Sequence, residues 1–513
     1  MKKRVKNVTF LLAGSLICLL TGCGNHTSCL PKELEKEEIK KDVIVTGPSL
    51  HDPQVIVAED GTCYCYGSHM TAAVSEDLRK WKSFANGVTK ANKIYDNLLE
   101  EPFEAFSFVG KNGEGGYSVW APSVIYDKTT RKYLMYFCTT SSFIKSNIAL
   151  ATSEQIEGPY HYEKTILYSG FTKPDIAKTD FEEIMGGDKE TRKRYVLSTG
   201  FNNQLWPNAI DPAAFYDEED RMWMVYGSWS GGIFLLEIDP ETGEPIHPQE
   251  DPATETDRYY GKRLIGGYHH PIEGPYIQYD ADTGYYYLFL SYGNLQANGG
   301  YQIRVFRSDK VDGVYTDAAG QSLGIGGDLN AFADYGVKLM GNYTLPSLSV
   351  TYMAPGGQSV FYGKDGNLYI VYHQRYKQKG ETHNVRVHRI VMNEDGWPCI
   401  LPFATNGETL SETGYKQSDL TGTFYLLDHG LSVDAKVNEP AECTFKKGKI
   451  EGELTGSYEV EQGTNYITMK LGNAVYKGVM VEMTDEAGND TFCISAVGEN
   501  NHAIWGVHYL KKD

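Results

Sequence analysis

The chain has 513 residues, 41% hydrophobic and 12% aromatic, with 54 glycines and a formal charge of −19. That length exceeds one ordinary domain and suits a large domain with a smaller one, and the aromatic and glycine content favours strands and tight turns over helices. So acidic a chain excludes a nucleic-acid-binding or anionic-membrane-binding surface, since neither partner attracts it.

Lys2, Lys3, Arg4 and Lys6 precede an apolar run from Val8 to Leu20, too short for a permanent membrane span, and a small-residue site follows. Residues 1–22 therefore read as a secretory signal. Its end, Leu20-Thr21-Gly22-Cys23, matches the bacterial lipobox pattern, in which the cysteine carries lipid after cleavage. A lipid on Cys23 would be the sole membrane contact. Residues 23–42, with the charged run Lys32 to Glu38, read as a solvated tether. Of nine cysteines, one lies in the signal and one in the lipobox, and the odd remainder describes no disulfide framework. Cys63 and Cys65 share one face of a predicted strand and read as buried free thiols. No Cys/His spacing suggests zinc.

From residue 43 a phrase recurs five times: Asp-Pro-Gln-Val-Ile from Asp52, Ala-Pro-Ser-Val-Ile-Tyr from Ala121, Asp-Pro-Ala-Ala-Phe-Tyr from Asp211, Glu-Gly-Pro-Tyr-Ile from Glu273 and Gln-Ser-Val-Phe-Tyr from Gln358. Each is followed by a polar turn and a second apolar run: Cys63 to Ser68, Tyr133 to Thr139, Met222 to Ser228, Tyr285 to Ser291 and Leu368 to His373. Five such hairpins predict a five-bladed β-propeller over residues 43–403, its first strands lining a central channel. Longer insertions at 86–118, 160–205 and 240–270 are expected on its faces. From 405 to 513 short alternating strands with frequent glycine predict a small antiparallel barrel or sandwich, for packing or carbohydrate contact.

Asp52, Asp211 and Glu273 open three of the five phrases, at strand entrances where proline costs no ladder bond. Any one of them alone could be a hydrated or turn-bonded acid. Three converging on one axis repel, which raises the proton affinity of at least one and gains no stability. Two carboxyls of different pKa supply the acid and base of glycoside hydrolysis, and a third can orient the acid and hold it protonated.

His51-Asp52-Pro53, Trp120-Ala121-Pro122, Asn208 to Pro212, Gly227-Ser228-Trp229-Ser230-Gly231-Gly232, Ile272-Glu273-Gly274-Pro275 and Tyr372-His373 resemble, in order, the signatures of glycoside hydrolase family 43 and within it the endo-α-1,5-L-arabinanases. The resemblance covers residues 43–403. It implies an inverting hydrolase with Asp52 as general base, Glu273 as general acid and Asp211 as the pKa modulator and orienter. It also implies His373 as ligand of a channel metal, usually calcium and mostly held by water, with Trp120, Asn208 and Ser228 near substrate. His51 reads as a hydrogen-bonding support for the base. The substrate would be arabinan, as in pectin side chains, met outside the cell or at its surface by a lipid-anchored monomer. Ala121-Pro122-Ser123 and Gly356-Gly357-Gln358-Ser359 depart from the family pattern in the cleft. An exo-acting α-L-arabinofuranosidase or β-xylosidase, or a non-catalytic glycan-binding lipoprotein, are the alternatives.

Overall fold

The computed structural model describes residues 33–42, 47–326 and 331–511. The signal, the lipobox and the start of the expected tether lie outside the described residues. Five antiparallel sheets follow one another along the chain. Blade one runs from Gln54 to Ala85, blade two from Ser118 to Ser169, blade three from Ala213 to Ile265, blade four from Ile272 to Met340 and blade five from Tyr352 to Ile400. The innermost strand of each blade touches that of the next, and the fifth touches the first, so the ring closes, with no strand exchanged between its ends among the described residues. Four blades have four strands; blade three has six, because the 240–270 insertion adds Pro245–Ile246 and Thr256–Asp257. The 160–205 insertion supplies two short helices, Phe181–Met185 and Lys189–Tyr195. The second begins where the Asp188 carboxylate accepts from the Glu190 and Thr191 amides, satisfying N–H groups that have no partner within the helix.

The propeller predicted from the five hairpins is thus the observed one. The C-terminal region resolves the choice between barrel and sandwich: eight strands from Gly422–Asp428 to Ala503–Leu510 close on themselves. Phe424, Phe445, Met480, Phe492 and Ile494 fill its interior. Its outer face shares a core with blades four and five, where Trp505, Val507 and Cys493 pack beside Tyr372, Leu401 and Phe403. Trp505 Nε1 and Ser495 Oγ both donate to the Ile400 carbonyl, at 2.8 and 2.7 Å. Cys63 and Cys65 are buried and free, as are Cys138, Cys399, Cys443 and Cys493.

One expectation is corrected. Residues 33–42 form a strap against barrel and propeller, not a solvated tether. Glu33 bridges to Leu510, the Leu34 amide donates to the Tyr509 carbonyl at 3.0 Å, and Ile39 is buried in the shared core. Asp42, 4% exposed, accepts from the Ser349 amide at 2.6 Å and the Tyr352 hydroxyl at 2.8 Å. Glu33, Glu35, Lys36, Glu37 and Glu38 face solvent while Leu34 and Ile39, five apart, face the core.

Candidate active site

The paired residues Gln54–Tyr66, Ser123–Tyr136, Ala213–Val225, Tyr276–Phe289 and Ser359–Val371 fix equivalent points on the five blades. Two residues before the first member of each pair stand Asp52, Ala121, Asp211, Gly274 and Gly357, with φ of 52°, 42°, 54°, 58° and 58°. All five are left-handed, a conformation that costs a non-glycine residue roughly 1 kcal/mol or more and persists only where the surroundings enforce it. Four are followed by proline, which has no N–H for the ladder, and bulges interrupt the register at this level in blades two, four and five. The five positions line a narrow channel of about 40 Å³.

This register revises the sequence reading of the acids. Asp52 and Asp211 occupy ring positions, whereas Glu273 stands one residue before its own, level with His51, Trp120, Ile210 and Gly356. Its backbone neighbour Gly274 holds the ring position and donates its N–H to Asp211 Oδ2 at 3.1 Å. The three acids nevertheless meet in one cleft above the channel.

Two residues after the second member of each pair stand Ser68, Cys138, Gly227, Ser291 and His373. Several of these reach across to the next blade. Ser68 Oγ accepts from the Ala121 amide at 2.9 Å while donating to Asp52 Oδ2 at 2.5 Å. Ser291 Oγ accepts from the Gly357 amide at 2.9 Å and donates to Gln358 Oε1 at 2.8 Å. His373 closes the ring, its Nδ1 lying 3.5 Å from the Asp52 amide.

Asp52 also takes a 2.8 Å contact from His51 Nδ1. Burial pushes its carboxyl up, but the attraction and hydrogen bond of His51 and the bond from Ser68 outweigh that and leave it below the ordinary aspartate value. Glu273 goes the other way. Burial raises it, the Asp52 charge adds to the rise, and the bonds from Tyr301 and Ser228 oppose it without cancelling it. Tyr301 OH donates to Oε1 at 2.9 Å, and Ser228 Oγ and Trp229 Nε1 donate to Oε2 at 3.1 and 3.0 Å. Asp211 is also raised well above its ordinary value, through burial, then Glu273, then Asp52. The cleft therefore holds one carboxyl that favours its charged form beside two that favour the proton, the division that acid–base cleavage of an acetal needs.

The cleft extends to both sides of Glu273. A lobe of about 570 Å³ is lined by His51, Asp52, His69, Asp211, Arg375 and His383. A second, of about 440 Å³, is lined by Phe143, Asn208, Ser228, Trp229 and His269. Trp120, Ile210, Glu273 and Leu295 belong to both. Trp120 is thus central to the cleft. Asn208 lines the second lobe and holds the Phe143 carbonyl through its Nδ2 at 2.5 Å, and Ser228 lines it while donating to Glu273. His51, in contact with Asp52 through Nδ1, also stacks its ring on His373 with centroids 4.1 Å apart.

His373 is fully buried, and its pKa is held well below the ordinary histidine value by burial first, then by His51, Arg375 and His383. Its Nε2 has no hydrogen-bond partner among the described residues. Ligand atoms of His51, Asp52 and His373 lie within 4.8 Å of one another. A buried, neutral, unpartnered imidazole nitrogen beside a carboxylate fits a cation held largely by water.

Residues 402–506 match a C-terminal lipocalin-like domain and residues 200–398 the glycosyl hydrolases family 43. Over 471 residues the chain is 37% identical to the extracellular endo-α-(1→5)-L-arabinanase 2 of Bacillus subtilis, covering 89% of this chain and 92% of that protein. The chain belongs to glycoside hydrolase family 43. A second relative, the extracellular endo-α-(1→5)-L-arabinanase of Thermotoga petrophila, is 35% identical over 472 residues, 89% of this chain and 93% of that one. Among solved structures, a family 43 glycoside hydrolase from Bacillus licheniformis superposes with a TM-score of 0.78 at 35% identity, covering 92% of this chain and all of that one, 100%. The endo-1,5-α-L-arabinanase of Thermotoga petrophila gives 0.76 at 34%, covering 90% and 99%.

Three residues of this family 43 cleft escaped the sequence reading. Ser68 was placed only as the polar end of a strand, Tyr301 lies outside every repeated phrase, and Trp229 stood inside a quoted motif without a role. The prolines did carry one unused signal: aligning Pro53, Pro122, Pro212 and Pro275 sets Glu273 one place ahead of Asp52 and Asp211.

Proposed function

We propose that the protein is an extracellular endo-α-1,5-L-arabinanase that cleaves arabinan inside the chain with inversion. The observation that carries this is the opposite protonation preference of Asp52 and Glu273 within one cleft. Asp52, the carboxylate, takes a proton from the attacking water as general base; Glu273 gives its proton to the departing glycosidic oxygen as general acid. His51 and Ser68 keep Asp52 charged and aimed. Asp211 acts as modulator because its charge and that of Glu273 repel, so the pair together favours keeping a proton, and it accepts from the Gly274 amide, holding the backbone that carries the acid. A cleft running to both sides of Glu273 accommodates sugar units before and after the scissile bond, which suits internal cleavage. The family relatives named above, extracellular endo-arabinanases by name, support the same substrate.

A calcium ion would be held by His373 Nε2 and water, next to His51 and Asp52, and would supply positive charge near the reacting centre. Cys23 as a lipid-bearing residue would anchor the enzyme to the cell surface.

The test is incubation of the purified protein with debranched linear arabinan, with and without chelator. Early release of a ladder of oligosaccharides supports endo cleavage; release of arabinose alone assigns an exo-acting enzyme, and turnover of xylosyl glycosides alone would move the substrate altogether. Chelation should lower the rate of the native protein and leave the residual rate of His373→Ala unchanged.

A further inference from the structure

The barrel does more than pack. We propose that the connection between its first two strands, residues 429–440, is a positioning element of the active site, holding Tyr301 and the 293–300 cleft wall in place and, through Tyr301, the carboxyl of Glu273. This rests on the acid role given to Glu273 above.

The connection is clamped to blade four by groups buried on the propeller side. Gln302 Nε2 donates to the Ser432 carbonyl at 3.1 Å, Lys338 Nζ donates to the same carbonyl at 2.9 Å, and the Arg304 guanidinium donates to the Leu431 carbonyl. Gln302, Lys338 and Arg304 are each 3% exposed or less, so leaving these donors unpaired would be costly. Further along, the Asn438 amide group and the Asn342 carbonyl meet at 3.0 Å, and the Thr344 amide donates to the Asn438 carbonyl at 3.2 Å.

The same connection touches the cleft wall. Val437 packs against the small cluster of Tyr301, Met353 and Ala354. A methyl group on Gly300, whose φ is 75°, would fall 2.7 Å from the Asp434 amide nitrogen, and one on Gly293 would fall 3.0 Å from Val433. The wall is therefore pressed onto the connection at both of its ends. Leu295, between those ends, lines both lobes of the cleft. Tyr301, at one end, donates to Glu273, and its ring leaves no room for a side chain at Gly356, where a Cβ would approach it to 2.2 Å. A path of direct contacts thus runs from Val437 through Tyr301 to Glu273.

Val437→Ala removes the apolar contact and Gln302→Ala removes an independent clamp. Hydrogen exchange read by mass spectrometry, which needs no substrate, should show peptides covering 293–302 exchanging about tenfold faster in either variant, with the barrel strand Ala474–Thr484 unchanged. On linear arabinan kcat should fall about tenfold with KM little altered, as expected when an oriented catalytic group is loosened. The alkaline limb of the pH profile should move to higher pH, because the bond from Tyr301 holds the Glu273 pKa down; Tyr301→Phe should show the same displacement by itself. Exchange at 293–302 unchanged in both variants, or accelerated equally throughout the barrel, overturns the proposal. A native protein inert on arabinan would defeat the substrate reading instead, and the exchange result would still decide this one.

Discussion

Ser228 stands one residue after Gly227 and Glu273 one residue before Gly274, offsets in opposite directions, and the two side chains meet: Ser228 Oγ donates to Glu273 Oε2 at 3.1 Å. The double offset lifts the proposed acid from the channel into the cleft and moves its hydrogen-bond donor with it. Ser228→Ala should cost roughly 1.5–3 kcal/mol in kcat/KM, about 10- to 100-fold, the usual range for a bond to a charged or strongly polarised group. It should also raise the Glu273 pKa, since Ser228 lowers it. A kcat/KM within twofold of the native value would show that Trp229 and Tyr301 suffice.

The pH profile of kcat/KM follows from the two directions. The base works only when unprotonated, and Asp52 is held below the ordinary aspartate value, so the acidic limb should fall at unusually low pH. The acid works only when protonated, and Glu273 is raised, so the alkaline limb should lie above the ordinary glutamate range. Asp52→Asn and Glu273→Gln should each remove more than about 10³-fold of the rate with the circular dichroism spectrum intact. Exchange of the two limbs between these variants would reverse the assignment.

Asp211 trades stability for function. Its folded-state pKa lies well above the ordinary value, so the folded protein binds more protons than the unfolded one between those two pKa values, and stability falls as pH rises through that window. Asp211→Asn removes the titration and keeps an acceptor for the Gly274 amide. Its melting temperature should equal or exceed the native one at neutral pH, with a flatter pH dependence, while activity drops about 100-fold. A melting temperature lower by several degrees at neutral pH would falsify this account.

Gly357→Ala tests the crowding of the ring. The added Cβ would lie 2.6 Å from Asp52 Oδ1 and 2.8 Å from the His373 ring, at a φ of 58° that disfavours a side chain. The expected cost is about 1–3 kcal/mol of stability and a much larger loss of activity, read by denaturant titration beside kinetics. Full activity would mean that the base has room to shift harmlessly.

Asp42→Ala leaves the Ser349 amide and the Tyr352 hydroxyl without their buried partner. The variant should lose about 1–3 kcal/mol while its kcat at low temperature stays native. An unaltered unfolding midpoint would mean that the Asp42 bonds of the strap contribute nothing to stability.

The repeated phrases made the propeller legible because each hairpin is local: strand, polar turn and aromatic strand lie within some twenty residues. The same locality exposed Asp52 and Asp211. Glu273 was placed in the right cleft but in the wrong register, since the phrases were aligned on their acids instead of on their prolines. Gly356 and Gly357 looked like departures from a pattern; in the fold they are spaces filled by Tyr301, Asp52 and His373. Tyr301, the strap and the 429–440 connection could not be read, because each acts through contacts with residues tens to hundreds of positions away. The strap misled outright: Leu34 and Ile39 are two apolar residues in a charged run, too few to mark a buried face.

The first and fifth blades abut without interleaving strands, and Asp52 sits on the first of them, His373 on the last. The proposed water-activating group is thereby mounted on one side of the joint where the two ends of the circle come together. Any thermal breathing that parts this joint carries Asp52 away from Glu273 before the remaining blades are disturbed, so loss of catalysis on heating should precede loss of the bulk β signal and report on the joint itself.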